Sequence, residues 1–124
     1  MTFKNIIEIL FVRFPFLEET YLEEGDYIFD LAHPSYSIVF IPYIRKIIVN
    51  DDIENIIKVC EFLEDMANCE DKMVVELLAV SVLENIISER ALIKILKKYL
   101  KAKTMELLLY LETFYEWDNE KINP

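Results

Sequence analysis

Residues 51–87 read DDIENIIKVCEFLEDMANCEDKMVVELLAVSVLENII, and this stretch decides the fold class. An acid opens it at Asp51, with Glu54 three residues on, a capping-box pattern with Asp in the capping place. Ile53, Ile56, Ile57, Cys60, Leu63 and Ala67 then follow at helical spacing, widened by Phe62 and Met66. Glu54, Lys58, Glu61, Glu64 and Asp65 occupy the other side, so the segment predicts an amphipathic helix ending near Ala67. Asn68-Cys69-Glu70-Asp71 is polar and turn-prone. A second helix is predicted from about Asp71 to Ile87. Met73, Val74, Leu77, Leu78, Val80, Leu83, Ile86 and Ile87 leave little of its circumference polar, which predicts a central, buried helix.

Outward from this pair, the chain reads as helices in series. Thr2 caps a helix from about Phe3 to Arg13, with Ile6, Ile7, Leu10, Phe11 and Phe14 inward, and Pro15 ends it. Residues 16–26 suit a short acidic helix closed by Gly25. Residues 35–50 are apolar with Pro42 inside, which predicts a kinked or broken helix; Tyr36 to Ile41 would also pass as a strand. His33, before Pro34, reads as a surface loop residue. Ser88 caps a basic helix over residues 89–102. Thr104 caps a last helix from about Met105 to Trp117, with Leu107, Leu108, Leu111, Phe114 and Tyr115 inward and Tyr110 and Trp117 exposed. Residues 118–124 read as a frayed tail. The result is an all-α fold: one domain over 1–124, a bundle of about six antiparallel helices, with stacked helical hairpins as the alternative arrangement.

The 124 residues include one Gly and four Pro. So little glycine argues against a hairpin-rich β fold and leaves no Gly-rich phosphate loop. Hydrophobic residues make up 54% of the chain, which excludes an intrinsically disordered composition. The longest uncharged stretch, 31–44, is too short to span a bilayer. No signal-peptide pattern opens the sequence, and Cys60 and Cys69 read as reduced thiols, so a cytoplasmic protein is expected.

With 23 acids against 13 bases the net charge is −10. Such a chain is repelled by nucleic acid and attracted to basic partners, among which nucleases are common. Two acidic patches are candidate partner-binding surfaces: Glu18, Glu19, Glu23, Glu24 and Asp26 with the aromatics Tyr21 and Tyr27, and an edge formed by Asp51, Asp52, Glu61, Glu64 and Asp65. Each also reads as an ordinary solvated helix face. The lysines of the basic helix read as surface balance. One histidine, no metal-ligand spacing and no nucleophile-base pattern predict neither an enzyme nor a metal or cofactor site.

The words Cys60-Glu61-Phe62-Leu63-Glu64-Asp65-Met66 and Val74-Val75-Glu76-Leu77-Leu78-Ala79-Val80-Ser81-Val82-Leu83-Glu84-Asn85-Ile86 carry a family resemblance, spread over roughly residues 50 to 115. The sequence resembles small α-helical bacterial immunity proteins of contact-dependent inhibition and related polymorphic toxin systems, those partnered with EndoU-type RNase toxin domains above all. The resemblance implies a protein that binds a cognate nuclease toxin domain and holds it inactive; from the charge and the short apolar runs, no direct contact to nucleic acid or membrane is expected. It carries over no contact residue. The charge logic also suits an acidic nucleic-acid mimic that inhibits another nuclease, such as a phage inhibitor of a host enzyme. A peptide-binding helical scaffold would instead present a groove lined by Tyr99, Tyr110 and Phe114.

Overall fold

The structure is a computed structural model and describes residues 1–23 and 31–122, with side chains to residue 115. Seven helices and no strand occur among the described residues. A 3₁₀ turn, Phe3–Asn5, leads into α1, Ile6–Arg13. α2 is Leu17–Glu23. α3 covers 32–49, made of Ala32–Ser35, a π-helical segment Tyr36–Phe40, and Ile41–Val49. α4 is Ile53–Ala67. α5 covers 72–86, as Lys72–Leu77, a π-helical segment Leu78–Leu83, and Glu84–Ile86. α6 is Arg90–Leu96 and α7 is Ala102–Ile122. No described helix is long and apolar enough to cross a membrane.

The centre belongs to α3, the element whose sequence was ambiguous. It packs against α1, α2, α4, α5 and α6, and buries Tyr36, Val39, Phe40, Ile41, Ile44, Ile47 and Ile48. Neither a break nor a strand forms around Pro42. Proline offers no N–H, and its ring would press on the carbonyl four residues back. The turn just before it is widened instead: the Ile41 amide reaches the Tyr36 carbonyl, five residues back. A π turn of this kind lets the helix run through the proline.

α5, expected at the centre with neighbours on several sides, packs against α3, α4 and α7 and leaves one stripe open. Val74, Leu77, Leu78, Val82, Leu83 and Ile86 are inside, while Met73 and Val80, seven positions apart, are 53% and 46% exposed. Two turns of helix return to the same side, so these residues mark a solvent stripe.

The α3–α4 reversal corrects the predicted cap by one residue. Asp51 takes a positive φ of 53°, a left-handed conformation that Asp tolerates better than most side chains. Asp52 is the N-cap, accepting from the Asn55 amide at 3.4 Å and from the Asn55 side-chain amide at 2.8 Å. Asp71 opens α5 and also accepts from the Phe3 amide at 2.8 Å, fastening the start of the chain to the α4–α5 turn.

At the heart of the core, Phe14, Phe40 and Phe62 meet with ring centroids 5.6–5.7 Å apart, and Tyr36 stands 5.6 Å from Phe40. Such tilted and edge-on contacts add to the area buried. The Arg13 guanidinium lies 5.0 Å from the Phe62 ring centroid, a cation–π cover at the edge of the cluster.

The last two helices also depart from expectation. α6 ends at Leu96, and α7 begins at Ala102 and continues to Ile122, through the stretch expected to fray. Thr104 is a buried residue within its first turn. Phe114 and Tyr115, expected inward, are 55% and 38% exposed. The side chain of Trp117 and residues 123–124 lie outside the described set.

Candidate partner-binding face

α1 ends at the sharp turn that Pro15 imposes, where the Leu17 amide donates to the Phe14 carbonyl and the Glu18 amide to the Pro15 carbonyl. α2 starts at once and carries Glu18 and Glu19 in its first turn, where the helix dipole favours negative charge. Its inner side buries Leu17 and Tyr21, the Tyr21 ring 5.0 Å from that of Phe11. Its outer side shows Glu18, Glu19, Leu22 and Glu23.

Between these helices lies a hollow of about 740 Å³, lined by Phe3, Lys4, Ile7, Glu8, Phe11 and Val12 on one side, Glu18, Tyr21 and Leu22 on the other, and Ala32. Across the ridge of α1 lies a second hollow of about 490 Å³, lined by Met1, Ile9, Val12, Arg13, Asp65, Cys69 and Glu70. Val12 borders both and is 73% exposed. The ridge thus presents an apolar knob between two apolar-floored depressions. Glu8 and Glu18 line one, Asp65 and Glu70 the other.

The predicted residues divide unevenly over this face. Glu18, Glu19 and Glu23 are exposed on α2. Tyr21 is 5% exposed and packs the core, so it belongs to this face only as part of the hollow's lining. Glu24, Asp26 and Tyr27 lie outside the described residues. The second predicted patch is not one surface. Asp51 and Asp52 sit at the start of α4, and Glu61, Glu64 and Asp65 lie roughly 15 Å further along at about 1.5 Å per residue. Asp65 reaches the α1 face, held by Arg13 at 2.8 Å. Glu61 is exposed.

Glu64 turns away to the start of α7, where it accepts hydrogen bonds from Lys103 and Thr104. Burial alone would raise its carboxyl pKa; the donors from Thr104, Lys103 and Asn68 outweigh that and hold it below the usual value.

Sequence reasoning missed Glu8, Val12, Leu22 and Glu70. Glu8 and Val12 are one turn apart on the side of α1 opposite its apolar stripe, and a valine there is the signal that was available.

The features weighed for other functions lie elsewhere. His33 is in the first turn of α3, half-buried, with Nδ1 hydrogen-bonded to Ser81 Oγ. Ser81 is itself 5% exposed, so this pair ties α3 to α5. Among the described residues no group of three or more His, Cys, Asp or Glu is placed to hold a metal ion. Tyr99 packs against the core, whereas Tyr110 and Phe114 stand 61% and 55% exposed. The latter two meet edge to face with centroids 5.4 Å apart, forming a ridge on α7.

No curated protein matches this chain, and no solved structure matches it. One family does: residues 7–116, from α1 into α7, match the domain of unknown function DUF7674, and the chain belongs to that family.

Proposed function

We propose that this protein is a binding module that neutralises a basic protein partner, the nuclease domain of a secreted toxin, by seating the α1–α2 face over it. The observation that carries this reading is the pair of hollows astride Val12, each lined by two carboxylates against one basic side chain, Glu8 and Glu18 with Lys4 and Asp65 and Glu70 with Arg13. Apolar floors supply area to bury, and carboxylates around them complement a positively charged nucleic-acid cleft. The net charge of −10 adds long-range attraction to such a partner. The resemblance of the α4–α5 pair to immunity proteins supports the choice of a toxin nuclease.

The test is calorimetric titration with a nuclease domain encoded beside this gene, using wild type and a Glu18→Lys, Glu23→Lys variant. Tight 1:1 binding by wild type is expected, with at least about tenfold loss of affinity in the variant, and a larger loss at low salt. Equal affinity in both proteins rejects the electrostatic part of the reading. No binding to the adjacent nuclease rejects the reading as a whole.

A further inference from the structure

We propose that the hollow between the end of α5, α6 and α7 binds a small phosphate-type anion. This strongly acidic chain carries no acid between Glu89 and Glu106, while Arg90, Lys94, Lys97, Lys98, Lys101 and Lys103 all fall in that interval. Arg90 and Lys94 on α6, and Lys97 at its C-terminal end, recur at helical spacing and line a hollow of about 230 Å³ together with Ser88 and Glu112.

Lys97 is committed. Its Nζ lies 2.7 and 2.9 Å from the two Glu112 carboxylate oxygens, and Glu112 is the one carboxylate among the lining residues. That pair is neutral as a unit. Arg90 and Lys94 are left as an excess of positive charge, and neither takes part in an ion pair among the described residues. Ile87 and Ile93 form an apolar floor, and Tyr115 closes one side, its hydroxyl 3.3 Å from the Glu84 carboxylate.

The ligand class follows from size and donor chemistry. At ~30 Å³ per water the hollow holds about eight waters. It falls below the ~300 Å³ at which pockets for whole organic ligands begin. The planar guanidinium fork of Arg90, the Lys94 ammonium and the Ser88 hydroxyl together match a phosphate group. Free phosphate and the phosphate end of a larger ester share that chemistry. This anion site is separate from the α1–α2 face and does not depend on it.

The test is an amide chemical-shift titration of the full chain at fixed ionic strength, with inorganic phosphate, pyrophosphate and phenyl phosphate as probes. Saturable shifts confined to residues 87–94 and the facing turn of α7 are expected. Pyrophosphate binding tighter than phosphate marks a free-anion site; phenyl phosphate binding tighter than phosphate marks an ester site. Arg90→Gln with Lys94→Gln, both at exposed positions, weakens binding at least about tenfold. Lys98→Gln with Lys101→Gln removes the same charge outside the hollow and leaves affinity within about twofold. Glu112→Gln tightens binding. Equal losses in the two double variants, or shifts spread over the surface, overturn the proposal.

Discussion

Glu64 of α4 does for α7 what an N-cap residue normally does, accepting from the Thr104 amide and hydroxyl at 2.9 Å each and from the Lys103 amide at 3.1 Å. The first N–H groups of a helix have no partner within it. Here the partner comes from forty residues earlier in the chain, so a local capping requirement becomes a tertiary clamp between α4 and α7. Glu64→Ala should destabilise the fold by about 1–2 kcal/mol, measured as a lower urea midpoint with an unchanged slope.

The same clamp sets an acid dependence. Glu64 has a folded pKa below its ordinary value because its hydrogen bonds overcome the effect of burial. A depressed carboxyl contributes stability in full above its unfolded pKa and loses it as pH falls through the folded one. The gap in urea midpoint between wild type and Glu64→Gln should therefore narrow from about pH 6 to about pH 3. A constant gap would remove the charge from the explanation.

Tyr36 lies fully buried with its hydroxyl donating to the Ile6 carbonyl at 2.8 Å, a tie from α3 to α1. Burial pushes its phenol well above the ordinary range, against a small opposing pull from Arg13. Tyr36→Phe should cost about 1 kcal/mol, the usual net worth of such a bond. In alkaline titration followed by ultraviolet absorbance, Tyr36 should ionise only when the protein unfolds.

The two thiols should separate kinetically. Cys60 is 1% exposed, and its pKa is pushed up to about 12 by burial first and by Glu61 second, with Lys101 opposing. Cys69 is half-buried in the α4–α5 turn, donates to the Met1 carbonyl and lines the second hollow. One thiol per chain should react with a disulfide reagent under native conditions, and the second only in denaturant, because thiolate is the attacking form. Peptide mapping should place the first label on Cys69.

Val12 separates binding from folding. Being 73% exposed on the ridge of α1, it contributes little to the core, and Val12→Asp should change stability by less than about 0.5 kcal/mol. Affinity for a nuclease partner should fall at least about tenfold if the ridge is an interface centre. The paired measurements are a urea titration and a binding isotherm on the same preparation.

The helical class was legible from spacing, and so were the α4 and α5 spans, because long amphipathic segments carry their period over several turns. What escaped was set by contacts distant in sequence. Nothing local marks Glu64 as the cap of a helix starting at Ala102, since its neighbours make it look like one more surface acid. Pro42 signals a disturbance without saying that a widened turn absorbs it. Phe114 and Tyr115 fit an inward stripe, yet α7 meets the body mainly through Thr104, Leu108 and Glu112, which are buried. In the candidate face, the acids of α2 were visible as a composition bias. The hollow beside them requires knowing that α1 and α2 lie side by side.

The widened turns in α3 and α5 pack against each other. Each spends one more residue than an ordinary turn, and one residue rotates a helix by about 100°. α3 is thereby re-aimed midway: His33 and Tyr36 reach α5 and α1, while beyond the π segment Arg45 is turned toward Glu89 at the start of α6. Shortening either bulge by one residue would leave the backbone helical yet swing everything downstream out of alignment, so these two spots should tolerate substitution far better than deletion.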